Sequence, residues 1–326
     1  MRRTAFAAVT ALVAVTFGLL IQAAPTHATF SGSNGRIAFV RFNPETEGGN
    51  IFAANPDGSH EIQLTTGDAD SGCPDWSPDG SRIAFCFVSS FEPFEVDIGT
   101  MNPDGSGVVQ LTSGPPFHDF EQPTWSPDAA RIAFVSPDGI RTMDATTGGD
   151  VHRVTTNPFA QDRQPSWSPD GQWIAFTRVR HSGQREETAL FLVRPDGNGA
   201  HRLTAWGMNA DWPDWSPDGT LIAFAGKGTV PSPSRIFTVH PDGTGLTDLV
   251  KTTGSADFHE PTWSPDGTKL IFQGWLFGAT PIPPHPPRVR ALWMVNADGS
   301  GLHQIEGVAG DELQQPDWGT YPLATT

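Results

Sequence analysis

Short apolar runs recur along the chain, each too brief for a helix and each closed by a turn signal. One type is Arg36-Ile37-Ala38-Phe39-Val40, Ile83-Ala84-Phe85, Ile132-Ala133-Phe134, Ile174-Ala175-Phe176, Ile222-Ala223-Phe224 and Leu270-Ile271-Phe272. A second type follows it, as in Ile51-Phe52-Ala53, Leu190-Phe191-Leu192-Val193, Ile236-Phe237-Thr238-Val239 and Leu292-Trp293-Met294-Val295. A third comes next, in Ile62-Gln63-Leu64-Thr65, Val109-Gln110-Leu111-Thr112 and His201-Arg202-Leu203-Thr204. Runs of this length, rich in β-branched and aromatic residues, predict strands. Beyond the first thirty residues no segment sustains a helical period.

Each unit opens on a Pro-x-Trp segment, at Pro74-Asp75-Trp76, Pro123-Thr124-Trp125, Pro165-Ser166-Trp167, Pro213-Asp214-Trp215, Pro261-Thr262-Trp263 and Pro316-Asp317-Trp318. The first five continue as Ser-Pro-Asp, usually then Gly; the sixth becomes Gly319-Thr320. In Ser-Pro-Asp-Gly, Pro pre-sets φ, Asp bonds the nearby backbone and Gly accepts the positive φ. The same chemistry ends the third strand in Asn55-Pro56-Asp57-Gly58 and Asn102-Pro103-Asp104-Gly105. Two tight turns per unit therefore bracket antiparallel strands. Four strands repeated six times predict an all-β, six-bladed β-propeller. The chain enters at a second-strand segment (35–42) and leaves at an orphan first-strand segment (315–318). The C-terminal strand is thus expected to complete the first blade and leave no open edge. The Trp spacings are 49, 42, 48, 48 and 55 residues, which implies constant strands and variable loops.

The start of the chain reads differently. Arg2 and Arg3 precede an uncharged stretch from Ala5 to Ala24, which ends at Thr26-His27-Ala28. This pattern predicts a signal peptide at 1–28 and a propeller at 29–326, exported to the periplasm or the exterior. No later run is long enough to span a membrane. With Lys+Arg 20 against Asp+Glu 36, the net charge of −16 argues against nucleic-acid binding and self-association, so a monomer is expected. The two cysteines, Cys73 and Cys86, flank one Ser-Pro-Asp-Gly turn. A two-residue loop would set them opposite each other and allow a disulfide; a three-residue loop would turn them to opposite faces.

The pattern Pro-x-Trp-Ser-Pro-Asp-Gly-x-x-Ile-Ala-Phe, then a third strand ending Asn-Pro-Asp-Gly, then a fourth ending Leu-Thr, resembles the propeller repeat of the TolB family. The resemblance covers residues 35–322. It implies a propeller fold; the family engages envelope partners through a separate α/β domain, and here a protein or cell-envelope partner is instead expected at the variable loops. TolB proteins carry a further α/β domain before the propeller, and peptidases with this repeat carry a hydrolase domain. Here a propeller-only form is expected.

Ligand residues are expected at the end of the ring where the loops vary in length. The residues before the Pro-x-Trp strands, His118, Glu121, Gln122, Arg163, Gln164, His259, Glu260 and Gln315, are candidates to ring the channel mouth. His118 and His259 with nearby carboxylates form a set suited to a divalent cation. The alternative is that the recurrent Asp70, Asp119, Asp162 and Asp257 cap a repeated turn. A second candidate is the longest connection, 273–290, with Trp275, Leu276 and Phe277 as an apolar anchor beside the stiff Pro281-Ile282-Pro283-Pro284-His285-Pro286-Pro287. The segment 178–187 reads as a solvated charged loop. Nucleophile-elbow, phosphate-loop and zinc-protease motifs are absent, so no catalytic residue, cofactor or metal is assigned. The leading expectation is a non-catalytic binding propeller. The alternative is a metal-dependent lyase or hydrolase on carbohydrate or a small ester, built on His118, Gln122, Gln164, His259 and Gln315.

Overall fold

The structure is a computed structural model that describes residues 32–43, 48–66, 70–115, 118–156, 161–227, 233–250, 255–277, 290–305 and 313–320. The expected signal peptide and the Pro-rich segment lie outside the described residues.

Six four-stranded antiparallel sheets follow one another. Blade 1 holds β1 (Ile37–Asn43), β2 (Gly48–Ala54) and β3 (Ile62–Gln63). Blade 2 holds β4 (Ser71–Trp76), β5 (Ile83–Phe91), β6 (Phe94–Met101) and β7 (Val109–Gln110). Blade 3 holds β8 (Glu121–Trp125), β9 (Arg131–Ser136), β10 (Gly139–Asp144) and β11 (His152–Arg153). Blade 4 holds β12 (Gln161–Trp167), β13 (Ile174–Ser182), β14 (Arg185–Val193) and β15 (His201–Arg202). Blade 5 holds β16 (Asp211–Trp215), β17 (Ile222–Gly226), β18 (Arg235–Val239) and β19 (Thr247–Asp248). Blade 6 holds β20 (Ser255–Trp263), β21 (Lys269–Phe277), β22 (Ala291–Asn296) and β23 (His303–Gln304). The last strand, β24 (Leu313–Trp318), is the inner strand of blade 1 and pairs Trp318 with Ile37. The ring is a six-bladed propeller closed by its C-terminal strand.

The core lies between blades. One cluster joins Ile37, Phe39 and Trp318 of blade 1 to Ile271 and Leu292 of blade 6. Another joins Ala223 and Ile236 of blade 5 to Phe258, Trp263 and Phe272 of blade 6. Each buried aromatic contributes on the order of 2–3 kcal/mol. The outer strands β3, β7, β11, β15, β19 and β23 are two residues each, which limits the edge open to pairing.

The Ser-Pro-Asp-Gly turns share one construction. In blade 2, Ser77 N–H donates to Arg82 O (2.9 Å), and Asp79 Oδ1 accepts from Ser77 Oγ (2.7 Å) and Ser81 N–H (3.0 Å). The loop is thus four residues long, unlike either alternative read from the sequence, and it sets Trp76 opposite Ile83. A register shift between Gly72 and Asp75 then places Gly72 opposite Cys86. Cys73, in the left-handed region at φ 53°, turns back across the pair, and Cys73 and Cys86 are disulfide-bonded with Cα atoms 5.5 Å apart. In the Asn-Pro-Asp-Gly turn of blade 2, Gly105 (φ 82°) lies so close to blade 1 that a Cβ would collide with Leu64 O. That glycine is a contact between blades as well as a turn residue.

Candidate functional site

The inner strands share a left-handed residue directly before their proline: Cys73, Gln122, Gln164, Trp212, Glu260 and Gln315, with φ between 51° and 58°. Positive φ costs a non-glycine residue about 1 kcal/mol or more. It arises because each inner strand shifts register at this point. At Gln122, Gln164, Glu260 and Gln315 the twist turns the side chain sideways toward the next blade. Gln122 Oε1 accepts from Gln164 N–H (2.8 Å), and Gln164 Oε1 from Trp212 N–H (3.1 Å). Glu260 Oε2 accepts from Gln315 N–H (2.7 Å), and Gln315 Oε1 from Cys73 N–H (2.7 Å). The structure therefore brings Gln122, Gln164, Glu260 and Gln315 together around the axis, and their oxygens hold neighbouring blades.

Two residues deeper, three carboxylates repeat the device. Asp75 accepts from Trp125 N–H (2.8 Å), Asp214 from Trp263 N–H (2.8 Å) and Asp317 from Trp76 N–H (2.6 Å). The channel here holds only about 120 Å³. Burial pushes Asp214 up to about 7 and Asp317 up to about 6. Burial, and then the charge of Asp317, raises Asp75 well above the usual carboxylate range. Burial also lifts Glu260 to about 7.

The two histidines are not brought together. His118, buried before blade 3, donates through Nδ1 to Pro115 O (2.9 Å) and through Nε2 to Asp97 Oδ1 (3.0 Å). Burial disfavours its charge, but the two acceptors outweigh it and raise its pKa. His259, in blade 6, bonds through Nε2 to Asp257 Oδ1 (2.9 Å). The expected shared cation set is therefore corrected, since each ring faces its own aspartate three blades apart. Among the described residues no group of three or more His, Cys, Asp or Glu is placed to hold a metal.

The hollow over blade 3 has a simple cause. Strands β5, β13 and β21 run nine residues, whereas β9 runs six and turns at once through Pro137-Asp138. Blade 3 is thus lower than blades 2 and 4 at the variable end. The step leaves a depression of about 1060 Å³, bordered by Asp119, Glu121, Gln122, Arg153, Arg163 and His181. A second hollow of about 400 Å³ lies over blades 1 and 2, lined by Phe42, Phe94, Val96 and Arg290. Glu121 lies on the rim of both, and the larger hollow is the trench over blade 3.

Most charges in the trench are matched. Arg153 pairs with Asp138, Arg178 forks onto Asp162 (2.6 and 2.7 Å), and Arg163 lies 3.4 Å from Asp211. Asp119 and Glu121 have no ion pair among the described residues. Burial, then the Asp119 charge, raises the Glu121 carboxyl, and burial raises Asp119.

Two expectations about loops are corrected. Trp275, Leu276 and Phe277 belong to strand β21, where they pair with Asp257, Ala256 and Ser255; their side chains lie outside the described residues. The 178–187 segment is the hairpin of β13 and β14, paired out to Ser182 and Arg185. The sequence reading missed the β5–β6 tip, where Phe91 and Phe94 are 61% and 52% exposed. It also missed the low third blade, although the 42-residue spacing from Trp125 to Trp167 is the shortest of the set.

The family profile described as the TolB beta propeller domain matches residues 26–322. TolB from Acinetobacter baumannii superposes with a TM-score of 0.65 at 21% identity, covering 89% of this chain and 67% of that one. A putative TolB from Agrobacterium tumefaciens gives 0.60 at 21% identity, covering 84% and 89%. An oligogalacturonate lyase in complex with manganese gives 0.54 at 15% identity, covering 84% and 74%. These likenesses concern the fold. No curated protein matches the chain.

Proposed function

Because the chain belongs to the TolB beta-propeller family, we propose that it is a non-catalytic binding propeller that engages a protein or cell-envelope component through the variable end of the ring. The observation that carries this reading is the trench left by the short third blade. It is wide, open and lined by mixed charge, while the channel below it is narrow. A shallow charged surface of this kind suits recognition of another macromolecule better than enclosure of a small substrate. The reading includes a leader at 1–28 that is removed on export and a monomeric propeller at 29–326.

The metal-dependent enzyme reading has less support. Its candidates Gln122, Gln164 and Gln315 hold neighbouring blades, and His118 has both ring nitrogens engaged. One tightly held divalent ion per chain after dialysis, together with lyase or hydrolase turnover, would restore it.

The binding reading is tested by reversing charge on the trench. Glu121→Lys with Arg163→Glu is expected to abolish capture of an envelope-fraction partner while the melting temperature stays within about 2 °C. Undiminished capture by the double variant would show that the trench is not the contact surface.

A further inference from the structure

Of the six residues at the left-handed position before the inner-strand prolines, five hold the ring together. Gln122, Gln164, Glu260 and Gln315 reach the next blade, and Cys73 is in the disulfide. Trp212, at φ 58°, does neither. A bulky side chain at positive φ is an outlier, and strain of this kind gathers at functional positions. Every other tryptophan whose side chain is described packs in a core cluster or stacks on an aromatic ring or a guanidinium. Trp212 is half-buried and belongs to no core cluster, and no ring or guanidinium of the described residues covers its faces.

Trp212 stands with Gln122 and Gln164 where the trench opens into the channel, and these three residues line both spaces. Gln164 is only 6% exposed. Its Oε1 is committed to the Trp212 N–H, and the Oε1 of Gln122 to the Gln164 N–H. An amide whose oxygen is fixed in this way carries its –NH2 on the other branch, so the assignment of O and N is settled by the donor. Neither –NH2 has an acceptor among the described residues. A buried donor left without one is costly unless water or a ligand supplies it. Asp119 and Glu121, which carry no ion pair, border the same trench. One corner of the mouth thus presents a bare indole, two uncommitted –NH2 groups and two uncommitted carboxylates.

We propose that this corner is a saccharide subsite, in which Trp212 is the platform for a pyranose ring and the –NH2 groups of Gln122 and Gln164 donate to its oxygens. The inference rests on the binding reading of the trench and narrows the partner to an envelope glycan. A pyranose has an apolar C–H face, which suits an indole, and a rim of hydroxyls that both donate and accept. Its oxygens accept from the two amides, and its hydroxyl protons go to Asp119 and Glu121. A peptide would instead be anchored by side chains in apolar pockets or by pairing with a strand edge. Besides Trp212, the apolar side chains of the lining are Val135 and Pro137, too few for such a pocket. The net charge of −16 and the bare carboxylates disfavour a nucleic acid. The channel below, at about 120 Å³, is too tight for a sugar ring, so the glycan lies across the mouth in the hollow of about 1060 Å³.

The test is to screen the intact propeller on an array of neutral, amino and acidic bacterial saccharides and to titrate the strongest in solution by calorimetry. Trp212→Ala is expected to weaken that saccharide about tenfold or more, and Trp212→Phe, which keeps a platform, to stay within about threefold. Gln164→Glu keeps the oxygen that holds the Trp212 N–H and removes both donors. Its affinity is expected to fall about tenfold while the melting temperature stays within about 2 °C. Trp206→Ala, at the outer strand of blade 4 beside Arg202, should bind as the unaltered protein does. Absence of binding anywhere on the array would overturn the inference, as would full affinity in a folded Trp212→Ala variant. If the array is blank but an envelope partner is captured and lost with Glu121→Lys and Arg163→Glu, this inference fails and the broader binding reading stands. A blank array with undiminished capture by that double variant removes both.

Discussion

Asp79, Asp218 and Asp266 sit in the turns at one end of the ring, and Asp75, Asp214 and Asp317 sit in its channel. The turn carboxylates each accept from a serine hydroxyl, a backbone N–H and in several cases a second hydroxyl, with one side open to water. Partial burial works against their charge, yet the summed hydrogen bonds hold their pKa values below the usual carboxylate range. The channel carboxylates also keep two or three donors each, but they lose nearly all of their water and face one another, so their values rise. The same side chain is made a better anion in one place and a better acid in the other. The extent of burial decides between them, because hydrogen bonds pull downward in both.

The comparison is broken most severely where a turn meets the neighbouring blade. Gly105→Ala should cost about 2–4 kcal/mol, since the new Cβ strains a positive φ and strikes Leu64 O, and urea unfolding would show it. Next in size is the loss of a channel carboxylate. Asp317→Ala strands the buried Trp76 N–H and should cost about 1–3 kcal/mol, whereas Asp79→Ala, whose partners can turn to water, should cost about 1 kcal/mol. Equal midpoints for the two variants would mean that the regions do not differ as described. The smallest effect is the pH profile of the unaltered protein. Raised channel values mean stability that is full at low pH and lost as pH rises through about 6 to 7. Lowered turn values mean stability that is full above the ordinary carboxylate value and lost as pH falls below about 4. Urea midpoints at pH 3, 5 and 8 should therefore be highest at pH 5.

The blades were legible because their information is local. Pro, Asp and Gly at fixed offsets dictate the turn, and Trp76 and its five counterparts dictate which face is buried. The closing strand was legible too, since Trp318 is a first-strand residue with no following partner in sequence. The mouth was legible as a location and not as chemistry. Gln122 and Gln315 were identified as neighbours around the axis, but their engagement with the next blade depends on a left-handed twist that no local motif announces. His118 and His259 looked like a pair because both precede a Pro-x-Trp strand, yet the distance between blades 3 and 6 is a property of the closed ring. The trench left a trace in the sequence as the shortest repeat spacing, which marks a missing wall; the longest connection drew attention instead.

The strand β24 has a consequence for how the chain reaches its native state. Trp318 donates its indole N–H to Gly35 O, 283 positions away, and pairs with Ile37. During synthesis the N-terminal strands emerge first, and β1 has no inner partner until β24 arrives. Until then a hydrophobic strand offers a vacant edge, the condition under which pairing with another molecule competes. The ring is therefore a latch whose closing strand is made after every other strand of the six blades. Its vulnerability belongs to the unfinished chain, where loss of β24 would leave the first blade open.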